Sequence, residues 1–439
     1  MVREDHEPER GNMPKEKHIC IVVPEDAHTR LYRQVPVDVL HAGAELLSRG
    51  YSVSVWDRRV RASAPQCHPD LLALITAPAD RAQCYPLDLR PVKAAVDHCR
   101  DAFPDVPIMV YGPHANHLPE DTLRSTSADV VARGEPEVTV VKAVERPCSQ
   151  EKIDLSRILP ASAAASMPEK IYTLPQPAYD LVDLHEYYAE IVDDDGLLRQ
   201  GRAGLILAVR GCPYQCSFCH LPFGKHRRRP SLSRVLGEVD AYKKKGIDNI
   251  FFLDYVFGID PKFYSELCKE LASRKIYWIG QTRPEVVLKS DVQQWYKAGC
   301  RAIWLGAESY NIASAGVSKP ITTSQVETSI KMLTQAGIIP LLFIMIGLPG
   351  ENQYSFDTLA TWLATLPVFF IVNQLTLRPG TQLYDQLAPS LHEGQLPFTW
   401  LEVEEVNTRY RQQFGSALEN LEAMLRRYPN YLGNQLASW

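Results

Sequence analysis

Three cysteines stand close together in the run Gly211-Cys212-Pro213-Tyr214-Gln215-Cys216-Ser217-Phe218-Cys219-His220. Cysteine thiolates hold iron–sulfur clusters, four of them for a complete [4Fe–4S] cage, and short spacings let one loop curl around a cluster face. Here the spacing is C-x3-C-x2-C with no fourth cysteine nearby; Cys268 follows only about fifty residues later. Such a cluster keeps one iron open to exchange, and the chemistry belongs at that vacancy. A zinc site is the alternative, since His220 could act as a fourth ligand. A chelate from adjacent residues closes a tetrahedron poorly, however, and three buried, unliganded thiols do not suit a loop carrying Pro213, Gln215 and Ser217.

The elements around this loop must position it. An apolar run at Leu205–Val209 precedes the cysteines, and the amphipathic stretch Leu232–Lys245 ends at Gly246, as a helix with a glycine stop does. Further strand-like runs are predicted at Ile250–Leu253, Ile276–Ile279, Ala302–Leu305, Leu341–Ile346 and Phe369–Leu377. Helix-like stretches lie between them near Phe263–Arg274, Val292–Lys297, Ser324–Ala336 and Tyr354–Thr365. Repeated strand–helix units imply parallel strands with reactive groups at the strand C-terminal ends. Gln281 and Arg283 stand at the third of these ends, where the guanidinium could pair with a carboxylate. Glu308 stands at the fourth, in Leu305-Gly306-Ala307-Glu308-Ser309, either as a ligand contact or as a helix-capping partner. Gly347 and Gly350 follow the fifth, where glycine permits close backbone approach or simply makes a turn.

The cysteine spacing, with the aromatic Phe218 just before the third thiol, resembles the signature of the radical S-adenosylmethionine (SAM) superfamily. The resemblance implies that Cys212, Cys216 and Cys219 bind a [4Fe–4S] cluster whose open iron chelates SAM. It also implies that one electron, delivered by a flavodoxin- or ferredoxin-type reducing system, cleaves SAM to methionine and a 5′-deoxyadenosyl radical. Gly306-Ala307-Glu308-Ser309 resembles the family's Gly-x-Glu-Ser motif, making Glu308 a SAM contact, and Gly347-Leu348-Pro349-Gly350 matches the region near the adenine. Asp254 ends the second strand, which faces the cofactor in related enzymes. Tyr255 follows where many relatives carry a second acid; it is a candidate proton donor or hydrogen-atom partner, or else a packing aromatic.

Upstream, alternating strands at Ile19–Val22, Ser52–Trp56, Leu71–Thr76, Ile108–Tyr111 and Val130–Ala132 enclose helices at Val37–Arg49 and Pro91–Phe103. That pattern predicts a doubly wound α/β domain with its ligand site outside the strand C-termini. With Gly112-Pro113-His114 and Arg133-Gly134-Glu135, it resembles the cobalamin-binding class of radical SAM enzymes. Three residues depart from that class. Leu31 replaces the glycine of a D-x-H-x-x-G motif that contains His28, Tyr111 replaces the first glycine of a Gly-Gly pair, and Ala82 stands where some methylases carry tryptophan near the lower corrin face. Cobalamin is therefore an uncertain cofactor. A cobalamin-like domain with altered motifs and a short tail is similar to the radical SAM diol dehydratases of aminoglycoside biosynthesis. That similarity implies loss of water from a sugar diol, with a partner reductase completing deoxygenation and Asp254 or Tyr255 assisting. Cobalamin-dependent methylation of carbon or phosphorus is the alternative, and a non-catalytic iron–sulfur sensor or electron carrier is an alternative of another kind.

The expected fold is α/β: a Rossmann-like, cobalamin-binding-type domain, a partial (β/α)6 barrel and a short helical tail. The expected divisions are a disordered 1–17, the first domain at 18–145, a linker at 146–200, the barrel at 201–390 and a helical cap at 391–439. A chain of 439 residues suits this division, and its net charge of −5 argues against a general nucleic-acid binder. The basic run Lys225-His226-Arg227-Arg228-Arg229 is too short for a polynucleotide groove. No apolar stretch is long enough to span a bilayer, and residues 1–17 lack a signal-peptide core. Ten cysteines, three of them required as thiolates, fit a reducing cytoplasm; the other seven read as structural thiols.

Overall fold

The computed structural model describes residues 17–25, 33–145, 158–159, 174–310 and 317–432. His28 and Leu31, and with them the D-x-H-x-x-G motif, lie outside the described residues, as do residues 1–16 and most of the stretch 146–173.

The first sheet contains β1 (His18–Val23), β2 (Ser52–Asp57), β3 (Leu71–Ile75), β4 (Ile108–Tyr111), β5 (Val130–Ala132) and β6 (Ile158–Leu159). All pair in parallel in the order β2-β1-β3-β4-β5-β6. Burial explains the sequences. The central β3 is apolar and buried throughout, as a strand covered on both faces must be, whereas the edge strand β2 alternates serine and valine and is half-buried along most of its length. Helices α1 (Val37–Ser48), α2 (Ala79–Ala82), α3 (Arg90–Ala102), α4 (Pro113–His117), α5 (Pro119–Thr126) and α6 (Pro136–Glu145) complete this domain.

The segment expected as a bare linker carries an antiparallel hairpin, β7 (Tyr188–Val192) with β8 (Leu198–Arg202). Its turn at Asp193-Asp194-Asp195-Gly196 is held by the Asp193 carboxylate, which accepts from the amides of Asp195 and Leu197 at 3.1 and 2.8 Å. The polar, irregular composition of this stretch hides the strands.

The second sheet is wholly parallel: β9 (Gly204–Ile206), β10 (Asn249–Phe252), β11 (Tyr277–Thr282), β12 (Cys300–Glu308), β13 (Ile339–Ile346) and β14 (Phe369–Gln374), in unbroken sequential order. Sequential order with crossover helices is the topology of a partial six-stranded barrel. The helices are α7 (Leu232–Lys244), α8 (Pro261–Arg274), α9 (Pro284–Val287), α10 (Val292–Lys297), α11 (Thr323–Gln335) and α12 (Gln353–Thr365). Side chains of Ser231, Asp260, Asp291, Thr322 and Asn352 cap five of them, accepting from amides that the helix itself leaves unpaired. Helices α13 (Gln382–Leu391), α14 (Trp400–Gln412) and α15 (Ala417–Leu425) close the end. Trp400 bridges to the first domain, its amide donating to Asp121 at 2.8 Å and its indole N–H to Thr122 at 2.9 Å.

The two domains meet around one buried cation. Arg210, immediately before the cysteine loop, is 1 % exposed and pairs with Glu135 at 2.8 Å and with Glu137, both from the first domain; Arg228 also pairs with Glu135. The Arg210 and Arg228 backbones exchange hydrogen bonds at 2.8 and 2.9 Å, and Gly211 follows at φ 85°, where a Cβ would lie 2.2 Å from the His226 carbonyl oxygen. Only glycine fits that approach. Arg210→Met would leave Glu137 buried without its cation and Glu135 with Arg228 alone, at a cost of about 3–5 kcal/mol. Denaturant unfolding should show this as a large drop in the midpoint.

Candidate active site

The cysteine loop lies over the C-terminal ends of the barrel strands and is tied down along its length. The Cys212 amide donates to Gly224 at 3.1 Å, the Ser217 amide to Val317 at 3.1 Å, and the Leu383 amide donates to the Ser217 carbonyl at 2.8 Å. Cys212, Cys216 and Cys219 line one cavity with Phe218, Tyr255, Gln281, Arg283, Glu308 and Lys319. Phe343 and Val256 supply apolar wall. The sequence expectations for Phe218, Tyr255, Gln281, Arg283 and Glu308 thus meet at a single place.

Their chemistry is complementary. Arg283 lies 3.9 Å over the Tyr214 ring, is paired with Glu285 at 2.6 Å, and donates to the Cys216 sulfur at 3.0 Å. Glu308 sits in the left-handed region at φ 63°, where the ladder to β13 slips by one residue. That bulge lies at the strand end where the carboxylate meets the Lys319 ammonium, 2.5 Å away. Lys319 also donates to the Gly306 carbonyl at 2.7 Å. Sequence reasoning missed Lys319, because a lone lysine before Pro320 carries no periodic or motif signal. Burial pushes the Cys219 thiol up to about 12 and raises Cys212 as well, so loading iron onto these sulfurs releases protons.

The donor set fits a cluster and not a zinc ion. Both ring nitrogens of His220 are engaged, Nδ1 with the Ala82 carbonyl at 2.8 Å and Nε2 with His117 Nε2 at 2.7 Å. A carbonyl can only accept, so Nδ1 carries the proton and Nε2 accepts from His117. Among the described residues no group of three His, Cys, Asp or Glu converges on one metal ion. A cluster presents a separate iron to each thiolate, so its ligands need not converge on one point.

Other expected residues lie elsewhere. The Asp254 carboxylate, buried and outside the cavity lining, accepts from the Tyr264 hydroxyl at 2.6 Å and the Val209 amide at 2.9 Å. It fastens the strand leading to the cysteine loop. Gly347 lies under the C-terminal cap, with Leu418 against it and its carbonyl accepting from Tyr410 at 2.9 Å, and Gly350 sits in an exposed turn; neither lines the cysteine cavity. The Tyr255 hydroxyl is buried and has no hydrogen-bond partner among the described residues. Burial raises its pKa well above the usual tyrosine value, so it remains a protonated donor.

Tyr111 is fully buried at the end of β4, packed with Val39, Ala132 and Val140 of the elements around it. The glycine of the Gly-Gly pair is thus replaced here by a buried core aromatic. From the loop after β3, Gln83 reaches the cluster cavity and donates to the Cys219 sulfur at 3.2 Å.

Residues 206–363 match the model of the radical SAM superfamily. That match runs from β9 to α12 of the barrel. The chain is similar to the uncharacterized methyltransferase PH0819 of Pyrococcus horikoshii, 26 % identical over 63 % of this chain and 62 % of that protein. It is also similar to the hopanoid C-3 methylase of Methylococcus capsulatus, 24 % identical over 83 % of this chain and 71 % of that one. Among solved structures, the radical SAM methyltransferase TsrM from Kitasatospora setae, with cobalamin and [4Fe–4S] cluster bound, superposes with a TM-score of 0.65 at 16 % identity, covering 86 % of this chain and 78 % of that one. That likeness shows a shared fold of Rossmann-like domain, barrel and helical end. The relatives' names speak of methyl transfer, not of the loss of water expected from the sequence.

Burial pushes the Asp254 carboxyl up to about 7 from an ordinary 3.8. The folded chain therefore holds this proton more tightly than the unfolded chain. The resulting stabilisation is complete below about pH 4 and is lost as pH rises through about 7. Asp254→Asn should flatten the fall in stability across that window, measured by denaturant unfolding at several pH values. Asp38 and Glu238, also pushed up to about 7 by burial, preserve part of the slope.

Proposed function

We propose that this protein is an enzyme that reductively cleaves SAM at a [4Fe–4S] cluster and removes a hydrogen atom from a small-molecule substrate. The observation that carries this reading is the convergence of Cys212, Cys216 and Cys219 with Glu308, Lys319 and Arg283 in one cavity at the barrel strand ends. Three thiols without a fourth leave one iron for SAM. When bound, the cluster supplies the electron that splits SAM into methionine and a 5′-deoxyadenosyl radical.

The chain's own residues supply the rest. Arg283 places positive charge beside Cys216. Lys319 suits a carboxylate, and Glu308, whose other oxygen is free of Lys319, suits amino or hydroxyl donors. Phe218, Val256 and Phe343 keep water from the reacting space. The reducing partner is of flavodoxin or ferredoxin type. Among the described residues no helix is long and apolar enough to cross a membrane.

Two outcomes follow for the substrate radical. Loss of water is supported by the departures from the cobalamin-binding class at Leu31, Ala82 and Tyr111, and by the buried Tyr255 hydroxyl, without a hydrogen-bond partner among the described residues, which can donate to a leaving hydroxyl. Methyl transfer is supported by the names of the relatives, and cobalamin as its cofactor by the cobalamin-bound TsrM structure of the same fold. Product analysis under anaerobic conditions separates them. Loss of water with 5′-deoxyadenosine and methionine, and without S-adenosylhomocysteine, is expected for dehydration; a gained methyl group with S-adenosylhomocysteine selects the second reading. Cys216→Ala should abolish both the cluster absorbance and 5′-deoxyadenosine, and a variant still making 5′-deoxyadenosine would overturn the ligand assignment.

A further inference from the structure

Among the described residues, the loop after β3 brings the first domain to a proposed cluster ligand. Gln83 Nε2 donates to the Cys219 sulfur at 3.2 Å. The residues on either side of Gln83 are pinned. The Ala82 carbonyl accepts from His220 at 2.8 Å, and the Cys84 amide donates to Arg81 at 3.0 Å. The fully buried Tyr85 ring lies 5.0 Å from the rings of both His114 and His220. The Tyr85 carbonyl accepts from Arg378, at the barrel's far end, at 3.2 Å. The amide of Gln83 is therefore a donor held in place from both domains.

Hydrogen bonds to a cluster's sulfurs are among the levers that set its potential. A donor withdraws charge from a thiolate and favours the reduced, more negative cluster. Among the described residues two side chains donate in this way, one from each domain: Arg283 on Cys216 and Gln83 on Cys219. No side-chain donor reaches Cys212 among the described residues.

We propose that the first domain raises the reduction potential of the cluster through Gln83, a positioning residue that acts on Cys219. The inference rests on the cluster reading above. It gives the Rossmann-like domain a task separate from holding a corrin.

The test is an anaerobic redox titration, followed by electron paramagnetic resonance, of full-length reconstituted wild type, Gln83→Leu and Gln83→Glu, with iron and sulfide measured on each. Wild-type iron content with a more negative midpoint in Gln83→Leu, and a still more negative one in Gln83→Glu, is expected, because the first loses a donor and the second also gains a negative charge. Two variants with full iron content and the wild-type midpoint overturn the proposal. Loss of the cluster from both variants, with unchanged circular dichroism, also overturns it, since the role would then be only to hold the loop. A wild-type chain without a reducible cluster fails the cluster reading itself, and this inference with it.

Discussion

A guanidinium buried between carboxylates of another domain determines where the cysteine loop can lie. Arg210 stands two residues before Cys212, and its partners Glu135 and Glu137 follow the end of β5. A charge removed from water tolerates little displacement from its counter-ions, because separation leaves each uncompensated in a low-dielectric interior. The pairing therefore locks the start of the loop to the first domain. Gly211, the exchange with Arg228, and the contacts of Ser217 with Val317 and Leu383 hold the remainder.

One consequence is a cavity built by both domains. The barrel contributes Glu308, Lys319, Arg283 and the three thiols, and the first domain contributes Gln83. Tyr111, at the end of β4, is a fully buried part of the first domain's core. The neutral pair His117–His220 and the ring of Tyr85 fill the seam beside the cysteines. Burial lowers both histidines, to about 4 and about 3, so the seam carries no added positive charge at neutral pH. The domain contact is thus a packed interface that reaches to the sulfurs.

Much of the fold was legible because parallel strands buried on both faces read as short apolar runs, and helices announce their starts with Ser, Asp, Thr or Asn. All six barrel strands lie where those runs predict them. The hairpin Tyr188–Val192 with Leu198–Arg202 was hidden, since Tyr-Ala-Glu-Ile-Val and Leu-Arg-Gln-Gly-Arg show no apolar–polar alternation, and even Glu190 is buried. In the site, Gln281, Arg283 and Glu308 were visible as polar residues ending apolar strands. Asp254 gave the same signal, yet its carboxylate is consumed by Tyr264 and Val209; strand-end position alone does not tell which way a side chain turns. Lys319 and Gln83 could not be recognised because their partners, Glu308 and Cys219, are brought near only by tertiary folding.

The central claim is that three thiols leave one iron free to take SAM within this cavity. Electron–nuclear double resonance on the reduced, reconstituted protein, with SAM labelled at the amino nitrogen and carboxylate of its methionine portion, tests it most directly. Coupling of both labels to the cluster spin, lost in Cys216→Ala, is the predicted result. A reduced cluster that shows no coupling to either label would contradict it.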